Sequence, residues 1–332
     1  MSLPWRDYRT ALFERYGERV YRIAIDGGFT CPHRKKGGRG GCIYCDSLGS
    51  SSAYQRPAER SYAYKGELVG EIDSLVGETP PLTLAGRLNS ITAQVERGKK
   101  FIARRYGPCA LSIYFQAFTN TYDSLENLKL LYDRALSDGP YKELIVSTRP
   151  DMVEDGVLRL LASYRSQVEE VCLELGLQSG NDKSLQFINR GHTVEEFLDA
   201  CQRAKREGLQ ITTHLILGLP NEGEAEILES AKVVRESSSD ALKIHHLQIG
   251  AGTPMALLYE RGEVQAPTFE EHLENTILLL RHIPPTTVIQ RLVSETPRHR
   301  LVAPRDFGDK AQFLATLKRE MEQRGVRQGD AL

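Results

Sequence analysis

Between residues 110 and 249 the chain repeats one pattern without a break: a short apolar or β-branched run, a polar turn, then an amphipathic segment of helical period. LSIYF is followed by SLENLKLLYDRAL, which sets Leu125, Leu128, Leu131 and Leu136 on one stripe. ELIVS, VLRLLASY, EVCLELG, VEEFLDACQRAKREG, LQITTHLIL, EAEILESAKVVRES and ALKIHHLQI continue the series. Short apolar runs read as buried strands, and apolar positions three and four apart read as helices. Strands that alternate with helices are joined by right-handed crossovers and lie parallel in one sheet. Thr193 with Glu196 forms a capping box that fixes one helix start, and Gly208 suits the end of that helix.

Upstream, a short amphipathic helix over 5–16 leads into VYRIAID, a first strand. That makes six strands, and TVIQR near Thr287 offers a seventh. A closed (β/α)8 barrel needs more units, so the expected fold is α/β: a partial (β/α)6 TIM-like barrel with an N-terminal helix, an insertion over 47–107 between strands one and two, and a C-terminal extension. Within the insertion the sequence predicts a short helix over 65–75, a turn at Pro80 and Pro81, and a helix over 91–106. No long-period repeat or low-complexity linker divides the chain. Residues 1–290 therefore read as one barrel domain, and 291–332 as a loop and terminal helix that pack on the barrel or cover its mouth. In this geometry chemistry collects at the carboxyl ends of the strands.

Directly after the first strand, residues 27–47 read GGFTCPHRKKGGRGGCIYCDS. Three of the six cysteines lie here, Cys31, Cys42 and Cys45, spaced C-x10-C-x2-C. Thiolates on one glycine-rich loop can converge on a soft centre: an iron–sulfur cluster, zinc or copper. A closed zinc site needs a fourth ligand, and His33, two residues past Cys31, is an awkward reach for the same ion. Three ligands leave a position open for chemistry. The remaining thiols are scattered, and Cys172 on a strand and Cys201 on a helix read as buried core residues. A formal net charge of -1 gives no sign of a dedicated nucleic-acid binder. No apolar run approaches the roughly 20 residues that span a bilayer, and the N-terminus lacks a signal-peptide core. The expected location is cytoplasmic, where clustered cysteines are ligands rather than disulfides.

The strand ends are FQAFTNTY, STRPD, ELGLQSGND, HLILGLPNE and HHLQIGAGT. Taken singly, Gly176, Gly180, Gly218 and Pro220 suit turns, and His214 or His246 suits a hydrogen-bonded structural histidine. Together, five ends rich in Gln, Asn, Thr, His and Gly would line one polar cavity above the cysteine loop. KKGGRGG lacks the GK[ST] ending and the strand-to-helix context of a phosphate-binding loop.

With FTCP, GRGGCIYC, INRGHT, KIHHLQIGAGTPM and VAPRD in the same order, nearly the whole chain resembles the radical S-adenosylmethionine (SAM) superfamily. Within it, the chain is similar to the YhcC-type proteins related to the Elongator catalytic subunit and the oxygen-independent coproporphyrinogen III oxidases. The ten-residue first gap departs from the commonest C-x3-C-x2-C form and looks like the Elongator and YhcC branch. The resemblance implies a 4Fe-4S cluster on Cys31, Cys42 and Cys45 whose fourth iron is open to SAM. It further implies reductive cleavage of SAM to methionine and a 5′-deoxyadenosyl radical that abstracts hydrogen from a substrate, with a reducing partner such as flavodoxin or ferredoxin. Tyr44 is implied near the adenine, and Gln178 and Arg190 as SAM contacts, the arginine pairing with the methionyl carboxylate. His214 and Ser147 fall where the coproporphyrinogen oxidase branch has acidic groups, and are implied as ribose or amino-group contacts. Gln116 and Thr119 would sit at the SAM amino group, and Leu217 and Gly218 would bring strand-five backbone to the adenine.

The substrate is less legible. No second cysteine cluster is spaced for sulfur insertion. Basic groups cluster locally: Arg34, Lys35, Lys36 and Arg39; Arg97, Lys99, Lys100, Arg104 and Arg105; Arg291, Arg298, Arg300 and Arg305. Gathered at one mouth they could hold tRNA; otherwise they form a charge-balanced surface. Two alternatives stand beside tRNA. One is a small metabolite among Gln116, Asn120, His245, His246 and Gln248, and the other a non-catalytic Fe–S or zinc module.

Overall fold

A computed structural model describes residues 3–34, 40–46, 55 and 83–332. Helix α1 (Tyr8–Tyr16) precedes strand β1 (Val20–Ile25), and α2 (Leu84–Tyr106) leads to β2 (Ala110–Phe115). Then α3 (Leu125–Leu136) precedes β3 (Glu143–Thr148), and α4 (Asp155–Ser163) precedes β4 (Glu170–Gln178). Helices α5 (Asp182–Phe187) and α6 (Val194–Arg206) lead to β5 (Gln210–Leu217), and α7 (Glu224–Glu236) to β6 (Ala241–His246). The chain closes with β7 (Ile249–Gly250), α8 (Pro254–Glu260), α9 (Phe269–Arg281), β8 (Val288–Arg291), β9 (Leu301–Ala303) and α10 (Lys310–Gln323).

Strands β1 to β6 and β8 form one seven-stranded parallel sheet in chain order, with β1 and β8 as its edges. TVIQR is therefore a full member, and the count of six becomes seven. Its own composition is weak; pairing with β6 on one side and the bridge between Asp7 and Ile289 on the other define it. The sheet is curled into a half-barrel. Lys243 on β6 and Tyr114 on β2 sit four strands apart, which would be about 19 Å in a flat sheet. Yet Lys243 Nζ lies 3.0 Å from the Tyr114 hydroxyl. Alternation then divides each strand. Ile23, Ile113, Leu144, Leu173 and Ile244 face outward into the helix-covered core, while Arg22, Tyr114, Glu174, His214 and Lys243 face the lumen.

The boundaries shift for local reasons. α1 begins at Tyr8 rather than 5, because the Asp7 side chain accepts from Thr10 N and residue 6 is held extended against β8. α2 begins at Leu84 rather than 91, capped by the Thr83 side chain on Gly86 N. The thiols of Cys172 and Cys201 are buried, as expected. The expected helix over 65–75, the turn at Pro80 and Pro81, most of the 47–107 insertion, and Lys35, Lys36 and Arg39 lie outside the described residues. The expected boundary at 290/291 falls inside β8. Beyond it, β9 pairs antiparallel with β7, residues 294–297 and Arg300 line a cavity at the strand ends, and α10 buries Phe313, Leu317 and Met321 against the barrel. Loop residues beyond β8 thus line the strand-end cavity, and α10 packs on the outer core. No helix among the described residues is long and apolar enough to cross a membrane.

Candidate functional site

The cysteine loop leaves the carboxyl end of β1 and is tied down from several sides. Thr119 N donates to Thr30 O, Ile43 N to Ile188 O, Met255 N to Ile43 O, and Asn189 Nδ2 to Gly41 O at 2.7 Å. Cys42 is buried, and Cys31 and Cys45 are partly exposed. Arg34 spans the loop, its backbone N–H donating to Cys31 O and its guanidinium to Cys45 Sγ at 3.0 Å and to Asp46 O. On the other side Arg190 Nη1 lies 3.6 Å from Cys42 Sγ. Burial pushes the Cys45 thiol up, with Arg34 opposing only part of that rise. Among the described residues no three His, Cys, Asp or Glu side chains surround a single ion position. Three thiols spread along one loop, two of them faced by guanidinium groups, suit an anionic iron–sulfur cluster, whose cysteines bind separate irons and whose sulfurs accept hydrogen bonds.

Above the loop the carboxyl ends of the strands enclose a cavity of about 320 Å³. Tyr44, Cys45 and Asp46 line it from the loop, and Gln116, Ser147, Gln178, His214, His245 and Arg291 from successive strands. The structure thus brings Tyr44, Gln116, Ser147, Gln178 and His214 together. Gln178 is aimed by backbone geometry, with φ +79° beside a register shift between Gly176 and Gln178. Such a bulge re-aims a side chain.

Arg190 takes a different position, buried beneath the cavity rather than lining it. Its Nη2 donates to Gly176 O at 2.6 Å and its Nε to His192 Nε2 at 2.9 Å, so it links β4 to Cys42. A Cβ on Gly176 would stand 2.5 Å from Arg190 Nη2 and 2.6 Å from Gln178 Nε2, so any larger residue there would displace the ends of both side chains. His192, which the sequence did not single out, is pushed down to about 4 by burial and by Arg190. It is the neutral acceptor this link needs.

Three further expected residues do not line the cavity. Thr119 is buried in the β2 turn, Leu217 belongs to the outward core, and Gly218, at φ +81°, packs on Pro267. Asn120 turns its amide to Ser147 O at 2.7 Å. His246 lies flat on Phe307, ring centroids 3.8 Å apart, as a structural histidine.

The cavity floor is a buried charge network that the sequence reading missed. Glu174 receives Lys243 Nζ at 2.5 Å, Arg22 Nη1 at 3.1 Å and His214 Nε2 at 3.1 Å. Burial is the largest influence and opposes the charge on Glu174, but Lys243, His214 and Arg22 together outweigh it and hold the carboxyl well below its usual range. Burial lowers Lys243 to about 7 against the pull of Glu174, and burial with Lys243 lowers His214 to about 4. The available signal was a lone charge inside each of VYRIAID, EVCLELG and ALKIHHLQI, since a charge in an apolar strand needs a partner.

Among the described residues the basic groups do not share one mouth. Arg300 pairs with Asp46 and, with Arg291, lines the cavity. Lys99 pairs with Asp138 in the turn before β3, and Arg104 and Arg105 end α2 just before β2, at the amino ends of the strands. A groove of about 1660 Å³ between α1, β1 and residues 321–328 also lies at that end, away from the cysteines.

Residues 31–234 match the family model of the Radical SAM superfamily, and residues 239–323 that of the radical SAM C-terminal domain. Protein YhcC of Escherichia coli is 34% identical over 97% of this chain and 93% of that protein. A tRNA-2-methylthio-N(6)-dimethylallyladenosine synthase of Carboxydothermus hydrogenoformans is 29% identical over 70% of this chain and 47% of its own. Elp3 of Methanocaldococcus infernus shares the fold, with a TM-score of 0.64 and 20% identity over 72% of this chain and 60% of that one. With a family model covering most of the chain and a full-length relative, the protein belongs to the radical SAM superfamily.

Proposed function

We propose that the protein is a radical SAM enzyme whose reaction takes place in the cavity at the strand ends, with 1–290 as the barrel and 291–332 as its cover. The observation that carries this reading is the Cys42–Arg190–Gly176 link, which joins the cysteine loop to the bulge presenting Gln178. When bound on Cys31, Cys42 and Cys45, a 4Fe-4S cluster supplies the electron that cleaves SAM to methionine and a 5′-deoxyadenosyl radical, which takes hydrogen from the substrate. Tyr44, Gln116, Ser147, Gln178 and His214 are the side chains that would hold SAM. Arg190 positions the loop and can turn a donor to the methionyl carboxylate. The extension loop excludes water from the mouth. A flavodoxin- or ferredoxin-like reductant and a cytoplasmic setting complete the reading.

For the substrate, the tRNA-modifying name of the methylthio-synthase relative supports tRNA. The separation of the α2 basic residues from the cavity supports a small metabolite instead. Anaerobic reconstitution should give the cluster spectrum and 5′-deoxyadenosine in the wild type, and neither in Cys42→Ala. Loss of neither in the variant would sink the assignment. The tRNA reading fails if tRNA neither binds nor alters SAM turnover at low salt.

A further inference from the structure

At the β8 edge of the cavity the sheet register slips. Leu242 faces Ile289, but the next residue, Lys243, faces Arg291, so Gln290 is an extra residue on β8. By simple alternation Arg291 would share the outward side of Ile289, which is buried in the helix-covered core. The bulge instead turns two consecutive side chains into the lumen. Gln290 bonds Thr212 Oγ1 at 2.9 Å and accepts from Arg22 at 3.0 Å, while Arg291 Nη1 reaches His245 Nε2 at 3.3 Å.

The carboxylates nearby are engaged elsewhere. Glu174 is held by Lys243 and Arg22, Asp46 by Arg300, and Glu295 accepts from Lys310 N at 3.2 Å. Among the described residues Arg291 makes no ion pair, although it is half-buried in a polar cavity. An arginine in such a place has its charge unmatched until an anion arrives, and its planar fork fits the two oxygens of a carboxylate or phosphate. The surroundings agree: Arg291 contributes to lowering His214, His245 and Lys243, so this end of the cavity is electropositive.

We propose that Arg291 is the anchor for an oxyanion of the substrate, a phosphate or carboxylate held at the β8 side of the cavity across from the cysteine loop. This deepens the proposed function and rests on the reading that the cavity is the reaction site. It is tested without SAM cleavage, so its failure and the failure of that reading are separable. Anaerobically reconstituted protein is treated with phenylglyoxal at constant ionic strength, and modification at Arg291 is followed by mass spectrometry, with the exposed Arg305 as internal control. Inorganic phosphate, acetate, tRNA and SAM are added in separate arms. At a concentration about four times its Kd, the protecting anion slows modification of Arg291 about fivefold and leaves Arg305 unchanged. Protection by phosphate or acetate identifies the oxyanion; protection by tRNA where phosphate fails assigns a polymer-borne phosphate. In Arg291→Gln the anion that protects should no longer raise the melting temperature. The proposal is overturned if no anion protects, if Arg305 is protected equally, or if SAM alone protects, which assigns Arg291 to the cofactor's carboxylate.

Discussion

Glu174 is asked to balance more than one charge. Its two oxygens face Lys243, Arg22 and His214, with no water-exposed surface of its own, so its removal leaves two buried cations without an anion. Breaking a buried pair from one side costs about 3–5 kcal/mol, because the partner's desolvation is no longer compensated. Glu174→Gln should therefore lower stability by about that amount. Lys243→Met should cost less, since Arg22 and His214 still hold the carboxylate. Urea unfolding of both variants checks the order, and a larger loss for Lys243→Met would show that the lysine, not the glutamate, is the hub. These residues were hidden in the sequence for a physical reason. Period two shows which side of a strand a charge occupies, but only the curl of the sheet shows that Arg22 on β1, Glu174 on β4 and Lys243 on β6, five strands apart at the extremes, meet at one point.

At the scale of elements, close approach of backbones decides what may vary. Gly180, in the turn after β4, donates to Ser230 Oγ at 2.8 Å, and a Cβ there would stand 2.5 Å from Ser230 Cα and 2.6 Å from Ser230 N on α7. Backbone cannot swing aside as a side chain can. Gly180→Ala should push α7 from the sheet and cost about 1–3 kcal/mol. Gly17→Ala, with φ +70° but no heavy atom within 4 Å, should cost only about 1 kcal/mol from backbone strain. Denaturation midpoints for the two proteins check the contrast; equal losses would mean that α7 gives way to the added methyl group. The elements themselves were readable: every strand from β1 to β6 and the capping box of α6 follow from apolar period and cap chemistry. β8 was readable only in part, because four residues with a bulge carry little periodicity, and it is this bulge that aims Arg291. For the same reason the site was half legible. Side chains on regular strands, such as Ser147 and His214, fall where alternation puts them, whereas Gln178 and Arg190 are placed by a bulge and a buried link.

Across the whole molecule, five of the eight histidines are held neutral by the fold. Burial lowers His192, His214 and His272 to about 4 and His246 to about 3, and burial with Arg291 and neighbouring histidine and lysine charges lowers His245 as well. In the unfolded chain each returns to the ordinary value of 6.5. Between those limits the unfolded state binds a proton that the folded state refuses, so the histidines' contribution is complete above pH 6.5 and is lost as pH falls toward 4. Glu174, lowered in the fold, acts in the same direction below its ordinary 4.5. Each histidine contributes up to about 1.4 kcal/mol per pH unit within the window. The histidines also sit at joints of the molecule: His192 under the cysteine loop, His214 and His245 in the cavity, and His246 and His272 against Phe307, which belongs to the C-terminal extension. Acid should therefore unfold barrel and extension together. Urea midpoints at constant ionic strength should fall from pH 8 to 7, where the unfolded lysine already holds a proton that Lys243, lowered to about 7, does not fully hold in the fold, and fall steeply from 6.5 to 5, with a proton uptake on unfolding well above one. An uptake of one or less would mean that these histidines are already charged in the fold.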